Sequence, residues 1–300
     1  MPQWKEILKT KFGNNCFFNE PLAPYTTYKI GGLAECFVLP EQEDDIAFIL
    51  KTAQAHQVPF VILGMCSNVL ISDKGIAGIT VSTRKMMRLD VEGKTVTAQC
   101  GAMLDKIILS AVEHGLSGME KMSGIPGSVG GAVWMNAGAF GHETFDALVK
   151  FTVINLNGDK KEIKKDEVKY GYRKVDGIEN LIILSAQWHL EYGDKKLLSE
   201  EREKTLQKRT LKQPLEYPSA GSVFKRPVGD FASRLIEVCG LKGVSVGGAE
   251  VSSKHAGFII NKNRATAKNV FDLMRKVQSE VKNKAGVELE LEQILLGDFC

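Results

Sequence analysis

None of the 29 glycines in this 300-residue chain stands two positions from another. The G-x-G core of the dinucleotide-binding fingerprint, and of the kinase glycine loop, is therefore missing. Gly93-Lys94-Thr95 imitates the end of a phosphate-binding P-loop, but Arg88 occupies the position where that loop needs its first glycine. The six cysteines (Cys16, Cys36, Cys66, Cys100, Cys239, Cys300) include no C-x-x-C pair, and the five histidines form no cluster at metal spacing. That excludes a zinc module and predicts free thiols in a reducing compartment, with no bound metal. No apolar run reaches membrane-spanning length, and the opening Met1-Pro-Gln-Trp-Lys-Glu-Ile-Leu-Lys carries charges where a secretory core would be apolar. A cytoplasmic protein without a membrane partner is expected. The net charge of +3 is too mild to argue for nucleic acid but suits a small anionic ligand. Internal repeats and low-complexity segments are also missing.

What the chain has is glycine in the right company. Ser123 to Gly141 holds six glycines, one proline and almost no charge, in a protein that is 25% charged. Backbone that turns sharply or lets a ligand approach closely needs residues without a Cβ. Successive unshielded N–H groups in such a loop bind anions, phosphate above all. A second glycine and serine loop, Gly64 to Asn68, follows the apolar run Phe60 to Leu63, and a pyrophosphate held between the two loops would explain both.

Periodicity places helices at about Trp4–Phe12, Glu41–His56, Met103–Val112, Lys195–Lys212, Phe231–Cys239 and Ala267–Ala285, the last closed by Gly286. Strands are predicted at Cys36–Leu39, Phe60–Leu63, Val69–Ile71, Ile79–Val81, Thr95–Gln99, Leu181–Leu190, Gly257–Ile260 and Val287–Leu296, with others around Val244 to Val251. Val149 to Leu156 turns at Asn157-Gly158 into a lysine-rich partner, a hairpin whose second strand, Lys160 to Lys165, reads as a solvated edge. Leu198 and Leu206 are weak anchors for the charged helix Lys195–Lys212. The mixed order of elements is α+β rather than a βαβ alternation. The charged helix ends at Gln213-Pro214, where a domain boundary is expected, and the length prior suggests roughly two domains.

Ten motifs now carry a resemblance. Tyr28-Lys-Ile-Gly-Gly32, Leu63-Gly-x-x-Ser-Asn68, Gly115-Leu-Ser-Gly-Met-Glu120, Gly124-Ile-Pro-Gly-Ser-Val-Gly-Gly131 and Met135-Asn-Ala-Gly138 are followed by Tyr170-Gly-Tyr-Arg173 and Ser219-Ala-Gly-Ser-Val-Phe-Lys225. Gly240-Leu-Lys-Gly243, His255-Ala-Gly-Phe-Ile-Ile-Asn261 and Leu289-Glu-Leu-Glu292 complete the set. In this order the chain resembles the UDP-N-acetylenolpyruvoylglucosamine reductase family. The resemblance implies a non-covalent FAD in an α+β domain of the vanillyl-alcohol-oxidase type, in subdomains 1–75 and 76–213, with a substrate-binding domain at 214–300. It also implies NADPH as reductant, a nucleotide-sugar substrate and a monomer. The short segment between Arg173 and Ser222 looks like the subtype that lacks a substrate-covering tyrosine loop. Cofactor contacts are implied at Ile30, Gly31, Gly64, Met65, Cys66, Ser67, Asn68, Ser123, Gly124, Ile125, Pro126, Gly127, Gly130, Gly131, Asn136 and Gly138. At Cys66 the family generally has glycine, so a Cβ and sulfur there crowd the loop. Two other readings remain open: another FAD oxidoreductase on the same scaffold, or a nucleotide-sugar binding protein without redox chemistry.

The reaction sets its own demands. Hydride addition to an enol ether conjugated to a carboxylate leaves an enolate that must be stabilised where it forms, and a carbon that must then be protonated. Arg173 is a permanently charged planar donor matched to a carboxylate; by itself it could equally be a surface arginine. Ser222, in a tight Ala-Gly-Ser turn, is the family's proton donor although a serine hydroxyl is a weak acid, with Lys225 nearby to stabilise the alkoxide. Glu292 aligns with the family's catalytic glutamate, and the apolar Ile294, Leu295 and Leu296 that follow argue that it enters the interior. Tyr172, Lys225, Arg226 and His255 are candidates for substrate contact, Arg226 as a grip on the diphosphate.

Overall fold

The computed structural model describes residues 1–299. The chain is α+β, as expected, and forms two compact units, each assembled from three separate segments.

The first unit comprises Met1–Phe18, Cys36–Met65 and Gly78–Lys208. Its helices are α1 (Gln3–Phe12), α2 (Glu43–Ala55), α3 (Leu104–Glu113), α4 (Val129–Trp134), α5 (Thr144–Ala147) and α6 (Lys195–Lys212). In α2 the apolar set Ile46, Ile49, Leu50 and Ala53 is buried, and Asp45 completes a capping box with Gln42. An antiparallel five-stranded sheet runs in the order Lys160–Lys164, Leu148–Asn155, Leu181–His189, Thr95–Gln99, Leu89–Glu92. The Asn157-Gly158 hairpin forms as predicted, with Ile154 opposite Lys160. Its second strand is the solvated edge: only Ile163 is buried, and Lys160 reaches Glu43 and Asp44. Trp188 lies fully buried on the central strand and donates its indole N–H to Thr144 O at 3.1 Å. Phe60–Leu63 pairs in parallel with the strand Ile76–Ser82, Leu63 standing opposite Ser82. Helix α6 buries Leu198 and Thr205 and half-buries Leu206, which fits two weak anchors.

The second unit comprises Asn19–Glu35, Cys66–Ala77 and the chain from Arg209 onward. It holds α7 (Ala232–Val238), α8 (Ala267–Ala285) and an antiparallel sheet in the order Ser245–Val246, Ala249–Val251, Ile259–Asn261. Helix α8 buries Ala267, Val270, Leu273, Met274, Val277 and Val281, one face at helical spacing. Gly286 ends it in the left-handed conformation (φ 69°). At its start Thr266 accepts the Asn269 N–H, and Asp73 takes the amides of Ala267 and Lys268 at 2.8 and 3.0 Å. A carboxylate at this positive helix end is favourable.

The predicted strand Val287–Leu296 is largely corrected. Only Ile294–Leu296 is regular strand, parallel to Val69–Ile71. Before it, Glu290 O accepts the Lys225 N–H, Leu291 bridges Phe224, and the Glu292 N–H donates to Val223 O at 2.8 Å. The segment changes partner partway, so no single ladder spans it. Among the described residues no helix is long and apolar enough to cross a membrane, and no cluster of side chains could hold a metal ion. Cys16, Cys36, Cys66, Cys100 and Cys239 are buried and form no disulfide with one another; Cys300 lies outside the described residues.

Candidate active site

In the first unit Gly64, where one glycine loop begins, stands beside Ser128 of the other. The strand Phe60–Leu63 runs straight into Gly64, where an added Cβ would lie 2.2 Å from Ser128 Oγ. Ser128 is the N-cap of α4, and its hydroxyl accepts the Gly131 N–H at 3.5 Å. The 123–131 stretch is welded to the start of α3: Leu104 N–H donates to Gly127 O, Val129 N–H to Ala102 O and Gly130 N–H to Cys100 O. Gly124 N–H donates to Asp105 Oδ1 at 2.6 Å, and both Asp105 oxygens are gripped by the Arg202 fork from α6 at 2.6 and 2.8 Å. Ser123 is fully buried and its hydroxyl donates to Glu120 O. Many amides of this loop are therefore spent inside the protein rather than left bare for an anion.

Two observations fit a polar cofactor here. Gly131 is exposed, and a Cβ there would meet nothing nearer than Ser128 Oγ at 3.6 Å, so the missing side chain leaves the backbone open to an approaching group. Thr80 Oγ1 and Ser82 Oγ, two residues apart on the strand beside Leu63, are buried donors with no hydrogen-bond partner among the described residues. Orphaned buried hydroxyls are costly and call for a partner.

The same unit holds the arginine turn. Tyr170–Gly171 and Lys174–Val175 form a tight hairpin whose turn is Tyr172 and Arg173. Arg173 has φ 55° and Asn136 φ 40°, a conformation costly for residues with a Cβ and found where surrounding structure enforces it. The enforcement is visible. Buried Asn136 donates to Glu143 Oε2 (2.7 Å) and Gly171 O (3.1 Å), and its Oδ1 accepts the Phe145 N–H. Arg173 donates to Asn136 O and Gly138 O, and its guanidinium stands 4.9 Å from the centre of the exposed Tyr172 ring. Asn136 thus acts through its neighbours: its amide is consumed in building the turn that aims Arg173.

The second unit gathers Ser222 and Glu292. Ser222 is half-buried and bridges Phe258, Val223 N–H donates to Gly257 O, and Val223 O takes the Glu292 N–H. Glu292 is half-buried, less enclosed than expected, while Glu288 and Glu290 are exposed. Asn68 Nδ2 donates to Glu292 O at 3.0 Å and Asn68 O accepts the Ile294 N–H, so this loop residue fixes the glutamate's backbone. Ser67 O lies 3.9 Å from where a Gly221 Cβ would sit. Cys66 takes φ 51°, a conformation that favours glycine, and is buried, its carbonyl accepting from the Thr27 hydroxyl. Ile30 is buried against this unit's core, with its amide and carbonyl both bonded to the Thr26 hydroxyl. Lys225 forms an ion pair with Glu290, and Arg226 covers the Phe231 ring at 4.8 Å. His255 Nδ1 accepts the Gly257 N–H, its ring packs edge-on against Phe258, and burial lowers its pKa below the ordinary histidine value.

Sequence reasoning missed Asp105, Arg202, Tyr28 and Gln293. Tyr28 is fully buried and its hydroxyl donates to Gln293 Oε1 at 3.1 Å. None stands in a motif that names such a role; each contact joins residues remote in sequence.

Comparison with known proteins agrees with this anatomy. Residues 34–164 match the profile of an FAD-binding domain, and residues 213–296 that of the C-terminal domain of UDP-N-acetylenolpyruvoylglucosamine reductase. The chain is 39% identical to the UDP-N-acetylenolpyruvoylglucosamine reductase of Clostridium tetani over 99% of both chains. It is 44% identical to that of Exiguobacterium sibiricum over 93% of this chain and 92% of the relative. The crystal structure of the Thermus caldophilus reductase superposes with a TM-score of 0.81 at 32% identity, covering 94% of this chain and 98% of that one.

Proposed function

For this chain, which belongs to the UDP-N-acetylenolpyruvoylglucosamine reductase family and carries an FAD-binding domain, we propose an NADPH-dependent reduction of UDP-N-acetylglucosamine enolpyruvate to UDP-N-acetylmuramate. Bound FAD supplies the hydride, taken from NADPH. The chain's residues handle everything else. Gly64, Met65, Cys66, Ser67, Asn68 and the 123–131 loop would hold the cofactor. Arg173, a planar fork matched to a carboxylate, stabilises the carboxylate oxygens as the enolate forms. Ser222 delivers the proton to the neighbouring carbon, and Glu292 hydrogen-bonds the intermediate beside it. Tyr172, Arg226 and His255 contact the nucleotide sugar; Lys225 serves the serine alkoxide by exchanging Glu290 for it. The enzyme acts in the cytoplasm as a monomer and belongs to the subtype without the tyrosine loop.

The observation that carries this reading is the joining of Ser222 and Glu292 through Val223, whose carbonyl takes the Glu292 amide at 2.8 Å. A proton donor and an acid that must serve one carbon have to share a rigid element. The test is spectroscopic. Purified protein should show a flavin band that NADPH bleaches and the enolpyruvyl nucleotide sugar restores. Ser222→Ala should leave the bleaching intact and slow the recovery by roughly 10²- to 10⁴-fold, the usual worth of a positioned acid. Protein that shows no flavin band even with added FAD would sink the proposal in favour of a non-redox nucleotide-sugar binder.

A further inference from the structure

Ser222 ends a turn whose two preceding carbonyls are held by one side chain. Gln293 Nε2 donates to Ala220 O at 3.0 Å and to Gly221 O at 3.2 Å. Its Oε1 accepts from the Tyr28 hydroxyl at 3.1 Å. Relative exposure is 0% for Tyr28, 3% for Gln293 and 1% for Ala220, so the bonds joining these three are shielded from water, while Gly221 is half-buried. The backbone of Tyr28 is fixed in turn: its carbonyl accepts from Asn261 Nδ2 at 3.0 Å.

The orientation of this chain of bonds is forced. Burial raises the pKa of the Tyr28 phenol, so it stays protonated and donates its one hydrogen. An amide whose oxygen takes that hydrogen must present both its N–H groups on the other side, where the two carbonyls wait. Gly221 meanwhile has φ 73°, a conformation with little intrinsic restraint in glycine, and a Cβ there would meet only Ser67 O at 3.9 Å. After Gly221 the backbone is held by the bridge of Ser222 to Phe258 and by the Val223 N–H on Gly257 O. Before Ser222, Gln293 is the side chain that holds the Ala220 and Gly221 carbonyls.

We infer that Tyr28 and Gln293 are positioning residues for proton delivery: together they lock the Ala220-Gly221 carbonyls and so fix where the Ser222 hydroxyl points. This rests on the role of Ser222 proposed above. Gln293 is also the covalent neighbour of Glu292, so one buried amide sets the backbone on both sides of the acid pair. Neither residue touches the reacting atoms in this account.

The test separates the two half-reactions in the FAD-loaded enzyme. Gln293→Met keeps length and apolar packing but removes the amide. It should leave bleaching by NADPH unchanged and slow recovery by the enolpyruvyl substrate on the order of 10- to 100-fold, the penalty of a small misplacement at a reacting group. Tyr28→Phe, which removes a single oxygen and keeps the ring in place, should show the same one-sided loss, smaller in size, and gives the answer if the methionine variant fails to fold. The double variant should be no slower than Gln293→Met alone, because both act through one pair. Equal slowing of both half-reactions, or no slowing of either, overturns the inference. If the unmodified enzyme itself fails to bleach or recover, the functional reading beneath it falls instead, and the two failures are told apart.

Discussion

Replacing Asp105 asks what holds the glycine-rich 123–131 loop. Its carboxylate does two jobs: it takes the bidentate Arg202 fork at 2.6 and 2.8 Å, and one oxygen also takes the Gly124 amide at 2.6 Å. The Arg202 side chain is 12% exposed and that of Asp105 28%. An exposed pair contributes about 0–1 kcal/mol, and breaking a fully buried one costs about 3–5, so this pair should fall near 2 kcal/mol. Losing it should lower the melting temperature by roughly 3 °C in a chain of this size, at about 2.1 cal/mol/K of unfolding entropy per residue. Asp105→Asn keeps an oxygen for Gly124 while discarding the charge; Asp105→Ala discards both. Both variants should melt early. Only the alanine variant should bind FAD weakly, by about tenfold if some 1.4 kcal/mol of the loss falls on the loop. FAD titration of the apoprotein by flavin fluorescence, beside melts with and without FAD, measures the two effects separately. Equal FAD affinity in wild type, Asn and Ala variants would refute the reasoning and reduce the carboxylate to a clamp for α6.

Other outcomes follow from the same geometry. Gly64→Ala should drive Ser128 Oγ off its capping bond, since the new methyl would lie 2.2 Å from it; the cost is about 1 kcal/mol, and it should nearly vanish in a Ser128→Ala background. Additive losses in the double variant, read from denaturant melts, would count against the clash. His255 has its pKa lowered by burial, so below the ordinary value of 6.5 the unfolded chain binds a proton before the folded one does. Its stabilising contribution is present above that value and is lost as pH falls through the folded one. His255→Asn should therefore lose less stability than wild type between about pH 7 and 5; an unchanged acid limb would exclude this. Burial pushes the Cys100 thiol up to about 12, so a thiolate-selective reagent near pH 8 should spare it in the native protein and label it after unfolding. Labelling at equal rates in both states, seen by peptide mapping, would contradict that assignment.

How far the chain could be read in advance depended on whether a residue's role is set by its neighbours in sequence. The strands Phe60–Leu63, Val69–Ile71 and Thr95–Gln99 and the helices α6 and α8 have the predicted ends because periodicity, caps and turn residues specify them locally. The glycine loops were legible as a pair for the same reason. The last segment misled because Glu290, Leu291 and Glu292 alternate like a strand while their bonds go to Val223, Phe224 and Lys225 before Ile294 joins Val69. Left-handed backbone at Cys66, Asn136 and Arg173 carried no glycine to announce it. The bond between Tyr28 and Gln293 spans 265 residues, and that between Asp105 and Arg202 spans 97. No local pattern encodes contacts of that reach.

The parallel pairing of Ile294–Leu296 with Val69–Ile71 has a consequence for biosynthesis. By the time Lys208 has been made, every segment of the first unit exists, but the segment of the second that begins at Arg209 does not. Ile294 follows Lys208 by 86 residues (294 − 208), an interval on the order of 4–17 s at about 5–20 residues per second. Throughout it Tyr28, Leu70 and Ile71, all destined to be fully buried, have no partner from the C-terminal segment to cover them. The nascent chain therefore offers an apolar, strand-forming edge while still attached to the ribosome, which is the kind of surface that holding chaperones bind and that crowded chains aggregate through.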